Sequence, residues 1–101
     1  MTASEEKLQL HEDLVRAAQE KKYFSGAQEE CDGCKRTLAG SQYMVDGNRG
    51  GTGAWGNYCA ACYDEPKSLI GWGFGQLYKH SEDGRWLQVG GFQPPKLDSE
   101  G

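Results

Sequence analysis

Aliphatic side chains are scarce in this 101-residue chain: Leu, Ile, Val and Phe together number 15. That share lies under the roughly 20% that marks weak core-forming capacity, although a net charge of −4 is too small to argue for disorder. No apolar run approaches the roughly 20 residues of a membrane-spanning helix, which argues against an integral membrane protein. Residues 1–30 carry a charged helical pattern where an export signal would be apolar, so a secreted disulfide scaffold is disfavoured. Positive charge is short as well. Residues 1–30 hold seven acids against four bases, and residues 31–101 hold eight against seven. Phosphate-dominated binding wants the opposite sign, which disfavours a general nucleic-acid binder. Histidine occurs only as His11 and His80, and neither a Ser/His/Asp set nor paired carboxylates can be read. Both histidines read as ordinary surface or packing residues, and no enzyme is expected. The setting these absences suggest is soluble and reducing: cytoplasmic, or nuclear in a eukaryote.

Against this background four cysteines stand out. They form two C-x-x-C pairs, Cys31–Cys34 and Cys59–Cys62, with 24 residues between Cys34 and Cys59. Two sulfurs at i and i+3 on a tight turn can face one ion, and a second pair completes the tetrahedral thiolate shell that Zn²⁺ takes in structural sites. Gly33 suits the first turn, because a residue without Cβ lets the backbone pass close to the metal. Iron in a Cys₄ site is chemically possible, since thiolate softness does not separate it from zinc. A dithiol redox motif normally occurs once beside a βαβ pattern, and here it is doubled with no such frame. One structural Zn²⁺ is the cofactor expected. Its energy matters in so small a chain: a small core rarely supplies more than about 3–5 kcal/mol, whereas structural zinc contributes on the order of 10–16 kcal/mol in finger peptides. Four thiolates on one Zn²⁺ would also leave the chain more acidic by two charges.

Residues 3–24 read as one helix. Thr2 with Glu5 matches a capping box, Glu5 and Glu6 place acid in the first turn, and Glu12–Arg16 is an i,i+4 pair. Leu8, His11 or Leu14, Val15 and Ala18 recur at helical spacing as one apolar stripe, expected to lie on the metal module or on a partner. Within residues 31–63, Ser41–Val45 and Ala54–Tyr58 read as two short strands around a glycine-rich turn. Asp64 with Pro66 suggests the start of a short helix running to Ile70 and stopped by Gly71. Gly75–His80 and Arg85–Val89 form a second hairpin about the Asp83-Gly84 turn. The organisation expected is a single domain over residues 1–92, with a helix over 1–26, a zinc module over 27–71 and a hairpin over 72–92, followed by a tail over 93–101.

Eight aromatic residues carry a double meaning: Trp55, Tyr58, Tyr63, Trp72, Phe74, Tyr78, Trp86 and Phe92. In a chain poor in aliphatics most of them must build the core. Any left outside is a candidate anchor, because Trp and Tyr dominate interface hot spots. Trp72 and Phe74 are the first suspects, since Gly71, Gly73 and Gly75 cannot cover the rings beside them. An open hairpin edge could also receive an extended peptide. Lys35, Arg36 and Arg49 cluster around the first knuckle and its loop; they read as a solvated face, with a phosphate-binding patch as the alternative. Gly51–Gly56 spells G-x-G-x-x-G, but it lacks the strand–turn–helix frame that a dinucleotide site requires.

Cys31-x-x-Cys34, Leu38, Tyr43, Asp46-Gly47 and Tyr58-Cys59-x-x-Cys62-Tyr63 resemble the second zinc module of a LIM domain. The resemblance covers residues 31–63. It implies a treble-clef-like unit with zinc on Cys31, Cys34, Cys59 and Cys62, and a protein-binding rather than catalytic role. Two departures accompany it. No second ligand set lies upstream of Cys31, and the loop between Val45 and Ala54 is longer and richer in glycine than the LIM pattern. The expectation is a small zinc-stabilised α+β domain: an N-terminal helix, a Cys₄ treble-clef or zinc-ribbon-like core, and a C-terminal β-hairpin. Its expected role is a protein-interaction adaptor, regulator or inhibitor, with a nucleic-acid-binding zinc finger as the alternative and neither a membrane nor a small-molecule substrate as partner.

Overall fold

The computed structural model describes residues 2–24, 29–53 and 55–94. Two helices, α1 (Ala3–Gln9) and α2 (Leu14–Glu20), precede a strand pair, β1 (Tyr43–Asn48) and β2 (Trp55–Cys59). One helical turn, α3 (Ala60–Tyr63), leads to the second pair, β3 (Gly75–His80) and β4 (Trp86–Gly90). The four strands make one antiparallel sheet in the order β2-β1-β3-β4. The fold is therefore α+β. Among the described residues no helix is long and apolar enough to cross a membrane.

The two hairpins expected from turn chemistry are present, but their union is new. β1 pairs with β3, setting Val45 opposite Leu77. Tyr43, Met44, Val45, Leu77 and Val89 from the joined strands are almost wholly shielded from water and make the centre of the core. Burial of this kind contributes about 1.5–3 kcal/mol per large aliphatic side chain, which is how so few aliphatics suffice. Tyr58, Tyr63, Tyr78 and Trp86 add aromatic bulk to it.

The single helix expected over residues 3–24 is instead two. The Thr2–Glu5 capping box forms as anticipated. After Gln9 the chain leaves helical geometry, because two groups in the break have stronger tertiary partners. The side chain of Glu12, only 6% exposed, receives the Tyr43 hydroxyl hydrogen bond and has Lys79 Nζ at 3.8 Å. The Asp13 amide donates to the Val89 carbonyl at 2.7 Å, and its carboxylate then caps α2 by accepting from the Arg16 amide at 3.0 Å. The break also splits the expected apolar stripe. Of its members only Leu8 is buried; His11, Leu14, Val15 and Ala18 are exposed, and Ala17 packs inward in their place.

The helix expected from Asp64 to Ile70 is absent, and the helical turn lies just before it. The Asp64 carboxylate does not cap a helix; it accepts from Ser4 Oγ at 3.0 Å and Lys7 Nζ at 2.9 Å on α1. The sheet edges are occupied as well. On β4, Trp86 O accepts from the Phe24 amide and Gln88 N donates to Lys22 O. On β2, Asn57 exchanges two hydrogen bonds with Asp32, through its carbonyl and its amide, and Cys59 N donates to Cys31 Sγ. Strand addition, anticipated for an open hairpin edge, is therefore blocked where these contacts sit.

A row of three glycines joins the sheet to the metal region. Gly56, Gly47 and Gly75 are paired across β2, β1 and β3. A Cβ on Gly47 or on Gly75 would come within 2.6 Å of Tyr63 Oη. The missing side chains make the space in which Tyr63 lies on the sheet, its hydroxyl donating to Leu69 O at 2.6 Å and Phe74 O at 3.2 Å. Because Cys62 precedes Tyr63, this anchorage orients the second cysteine pair.

Candidate metal centre

The first knuckle closes on itself. Lys35 N donates to Cys31 O and Cys31 N to Arg36 O, both at 2.9 Å, while Lys35 takes up a left-handed conformation with φ of 65°. Gly33 sits where a Cβ would stand 2.8 Å from Cys62 Sγ, so the close approach read from the sequence is real. The second pair straddles an element boundary. Cys59 is the last residue of β2 and Cys62 lies in α3, which carries its sulfur round toward the first knuckle.

All four sulfurs lie within 4.8 Å of one another, and none is in a disulfide. Four sulfurs at a Zn–S bond length of about 2.3 Å on tetrahedral corners stand about 3.8 Å apart. Cys34 Sγ and Cys59 Sγ are separated by 3.8 Å. The group fits a single tetrahedral ion and could hold one. Exposure is uneven: Cys31 is completely buried, Cys59 and Cys62 are partly buried, and Cys34 is exposed.

Burial and hydrogen bonding act differently on the Cys31, Cys59 and Cys62 thiols. Burial pushes the Cys31 thiol up, but amides of Cys34, Cys59 and Gly33 that face its sulfur outweigh this and bring it down to about 6. Burial pushes Cys59 and Cys62 up, and hydrogen bonding to the neighbouring Cys31 sulfur raises both further. One thiolate forms readily and then opposes the others, as crowded like charges must. A divalent cation reverses that opposition, since a coordinating thiol is deprotonated outright.

Arg49 is not part of an open basic patch. Its Nε donates to Cys62 O at 2.9 Å and lies 2.6 Å from Glu65, and its guanidinium sits 5.6 Å from the Tyr58 ring centre. It braces the second knuckle. Lys35 and Arg36 remain exposed. His11 is exposed, His80 packs against Trp86 with ring centres 4.6 Å apart, and neither belongs to the metal-competent group. Gly51 and Gly53 lie in the loop after β1 and Gly56 lies within β2, so the motif leads into a strand rather than opening a helix as a dinucleotide site requires.

Trp72 and Phe74 are both 51% exposed. They ride on a tight loop closed by reciprocal Gly71 and Gly75 backbone bonds, in which Gly73 has φ of 87°. Trp55 and Leu69 are about as exposed. Trp55 stands opposite Asn48 in the sheet, and the Asn48 amide donates to Phe74 O at 2.8 Å, so this end of the sheet leads into the aromatic loop. Trp55 is one of the aromatics with a double meaning in the sequence, whereas nothing in the sequence marks Leu69. No protein-family model, curated protein or solved structure matches this chain.

Proposed function

We propose that Cys31, Cys34, Cys59 and Cys62 hold one structural Zn²⁺ and that the chain works without catalysis, as a protein-interaction adaptor, regulator or inhibitor. The observation that carries the metal reading is the gathering of four free sulfurs within 4.8 Å. Four thiolates would close a tetrahedral shell and leave no position for an activated water, which favours a structural ion over a catalytic one. The order of a knuckle, the β1–β2 hairpin and a second knuckle entering α3 supports a treble-clef-like arrangement for residues 31–63. Metal analysis of protein purified without added metal is expected to find one zinc per chain. Visible absorption from an iron–thiolate centre would replace zinc with iron.

The partner reading is supported by the half-exposed Trp72 and Phe74 on their glycine-framed loop. Aromatic anchors of this kind concentrate binding energy when a partner desolvates them. In pull-downs from the native host, Trp72→Ala and Phe74→Ala should stay folded and zinc-loaded while losing captured protein. Variants that keep every partner would remove this loop from the reading. The nucleic-acid alternative is weakened because Arg49 is tied to Glu65 and Cys62, leaving Lys35 and Arg36 in an acidic chain. It requires affinity for DNA or RNA that falls steeply with salt.

A further inference from the structure

We propose that Cys34 is the point at which hydroperoxide oxidants attack the cluster, that Cys59 resolves the product as a disulfide, and that the metal leaves as a result. This inference rests on the zinc reading above. Its ground is the asymmetry within the four sulfurs. Cys31 is inaccessible to solvent, and its sulfur accepts from the Gly33 and Cys59 amides, each at 3.3 Å. Cys34 is the one exposed member of the group. Its Sγ already lies 3.8 Å from Cys59 Sγ, across the gap between the two knuckles. Oxidation follows thiolate character and access together, and metal ligation supplies the thiolate while exposure supplies the access.

The chemistry balances with one hydroperoxide. The Cys34 thiolate attacks a peroxide oxygen and breaks the O–O bond, giving a sulfenic acid and one hydroxide. The Cys59 thiolate then attacks the Cys34 sulfur and displaces a second hydroxide, forming the S–S bond. Two sulfurs are oxidised by one electron each, and the two peroxide oxygens are each reduced by one. The sulfurs need to close from 3.8 Å to about 2.05 Å, a movement within reach of side-chain rotation on a surface knuckle. Two cysteines then remain for an ion that takes four ligands, so the ion dissociates. The disulfide keeps the two knuckles joined while the ion leaves, and reduction restores the four-sulfur site.

The test uses the full chain as purified, with its zinc content measured first. Hydrogen peroxide is added in graded equivalents, zinc release is followed with a colorimetric chelator, and early time points are mapped by peptide mass spectrometry. The expected result is one zinc released per disulfide, with Cys34–Cys59 as the first linkage and recovery of zinc binding after dithiothreitol and added Zn²⁺. Zinc that stays bound in excess peroxide, or any first linkage other than Cys34–Cys59, overturns the proposal and leaves the zinc reading standing. Protein that carries no zinc and takes none up overturns the reading beneath it.

Discussion

The two ends of this molecule are held by different forces. In the sheet formed by β1, β3 and β4, Tyr43, Val45, Leu77 and Val89 are sealed from water, and ordinary apolar burial supplies the stability. Around the cysteines only Cys31 and Leu38 are sealed to that degree within residues 31–42, and the chain there is mostly exposed backbone and polar side chain. Bonds to sulfur take the place of a core: the Gly33 and Cys59 amides converge on Cys31 Sγ. The difference teaches where a small apolar inventory goes. It is concentrated at one end, and at the other the proposed ion would take its place.

The largest expected effect comes from taking that ion away. Chelation removes a contribution on the order of 10–16 kcal/mol in comparable small zinc modules. Because β1 belongs both to the hairpin bearing Cys59 and to the central sheet, chelator should unfold the whole chain in one transition by circular dichroism. A β3–β4 end that keeps its amide protection in apo protein would instead make the two regions independent.

Next is the seam between them. Gly47→Ala would drive a methyl group into Tyr63 Oη at 2.6 Å, an overpacking that typically costs about 1–3 kcal/mol. A lowered denaturation midpoint together with weakened metal retention is expected, since Tyr63 adjoins Cys62. Lost stability with unchanged metal retention would separate the seam from the site.

A pH titration sharpens the same comparison. Burial holds the Tyr63 and Tyr78 phenols up at about 12, against an ordinary value of about 10. A raised native value means the neutral form is favoured on folding. That stabilisation is complete below pH about 10 and is lost as pH climbs through about 12. Tyr63 lies at the metal end and Tyr78 at the sheet end, so tyrosinate absorbance and circular dichroism should change together over that window. Two separated steps would show that the ends unfold apart.

The smallest effect is expected from Lys7→Ala, which cuts the α1 contact to Asp64 at the start of the loop after α3. The lysine side chain is 66% exposed, so water screens the pair and it contributes little, less still in high salt. Thermal melts at low and high ionic strength should differ more for the parent chain than for the variant.

Much of this architecture is legible from local chemistry. The paired C-x-x-C motifs, the Asp83-Gly84 turn and the Thr2–Glu5 box act over a few residues, so their outcome is written in those residues. The break in the first helix is not local. Glu12 reads as half of an ordinary i,i+4 pair with Arg16, yet Arg16 pairs with Glu20 while Glu12 meets Tyr43, 31 positions away. Nor could Arg49 be known as a brace rather than part of a patch until the fold set Cys62 O and Glu65 beside it.

By itself, then, the sequence determined that four sulfurs would come in two tight turns and that two hairpins would form, because spacing and turn preference depend on bonds between near neighbours. The tertiary structure alone decided that the hairpins fuse through β1 and β3, that Gly47 and Gly75 lie side by side beneath Tyr63, and that one sulfur is sealed while another faces solvent. Those outcomes depend on which distant surfaces exclude water from each other, and no short stretch of chain contains both surfaces.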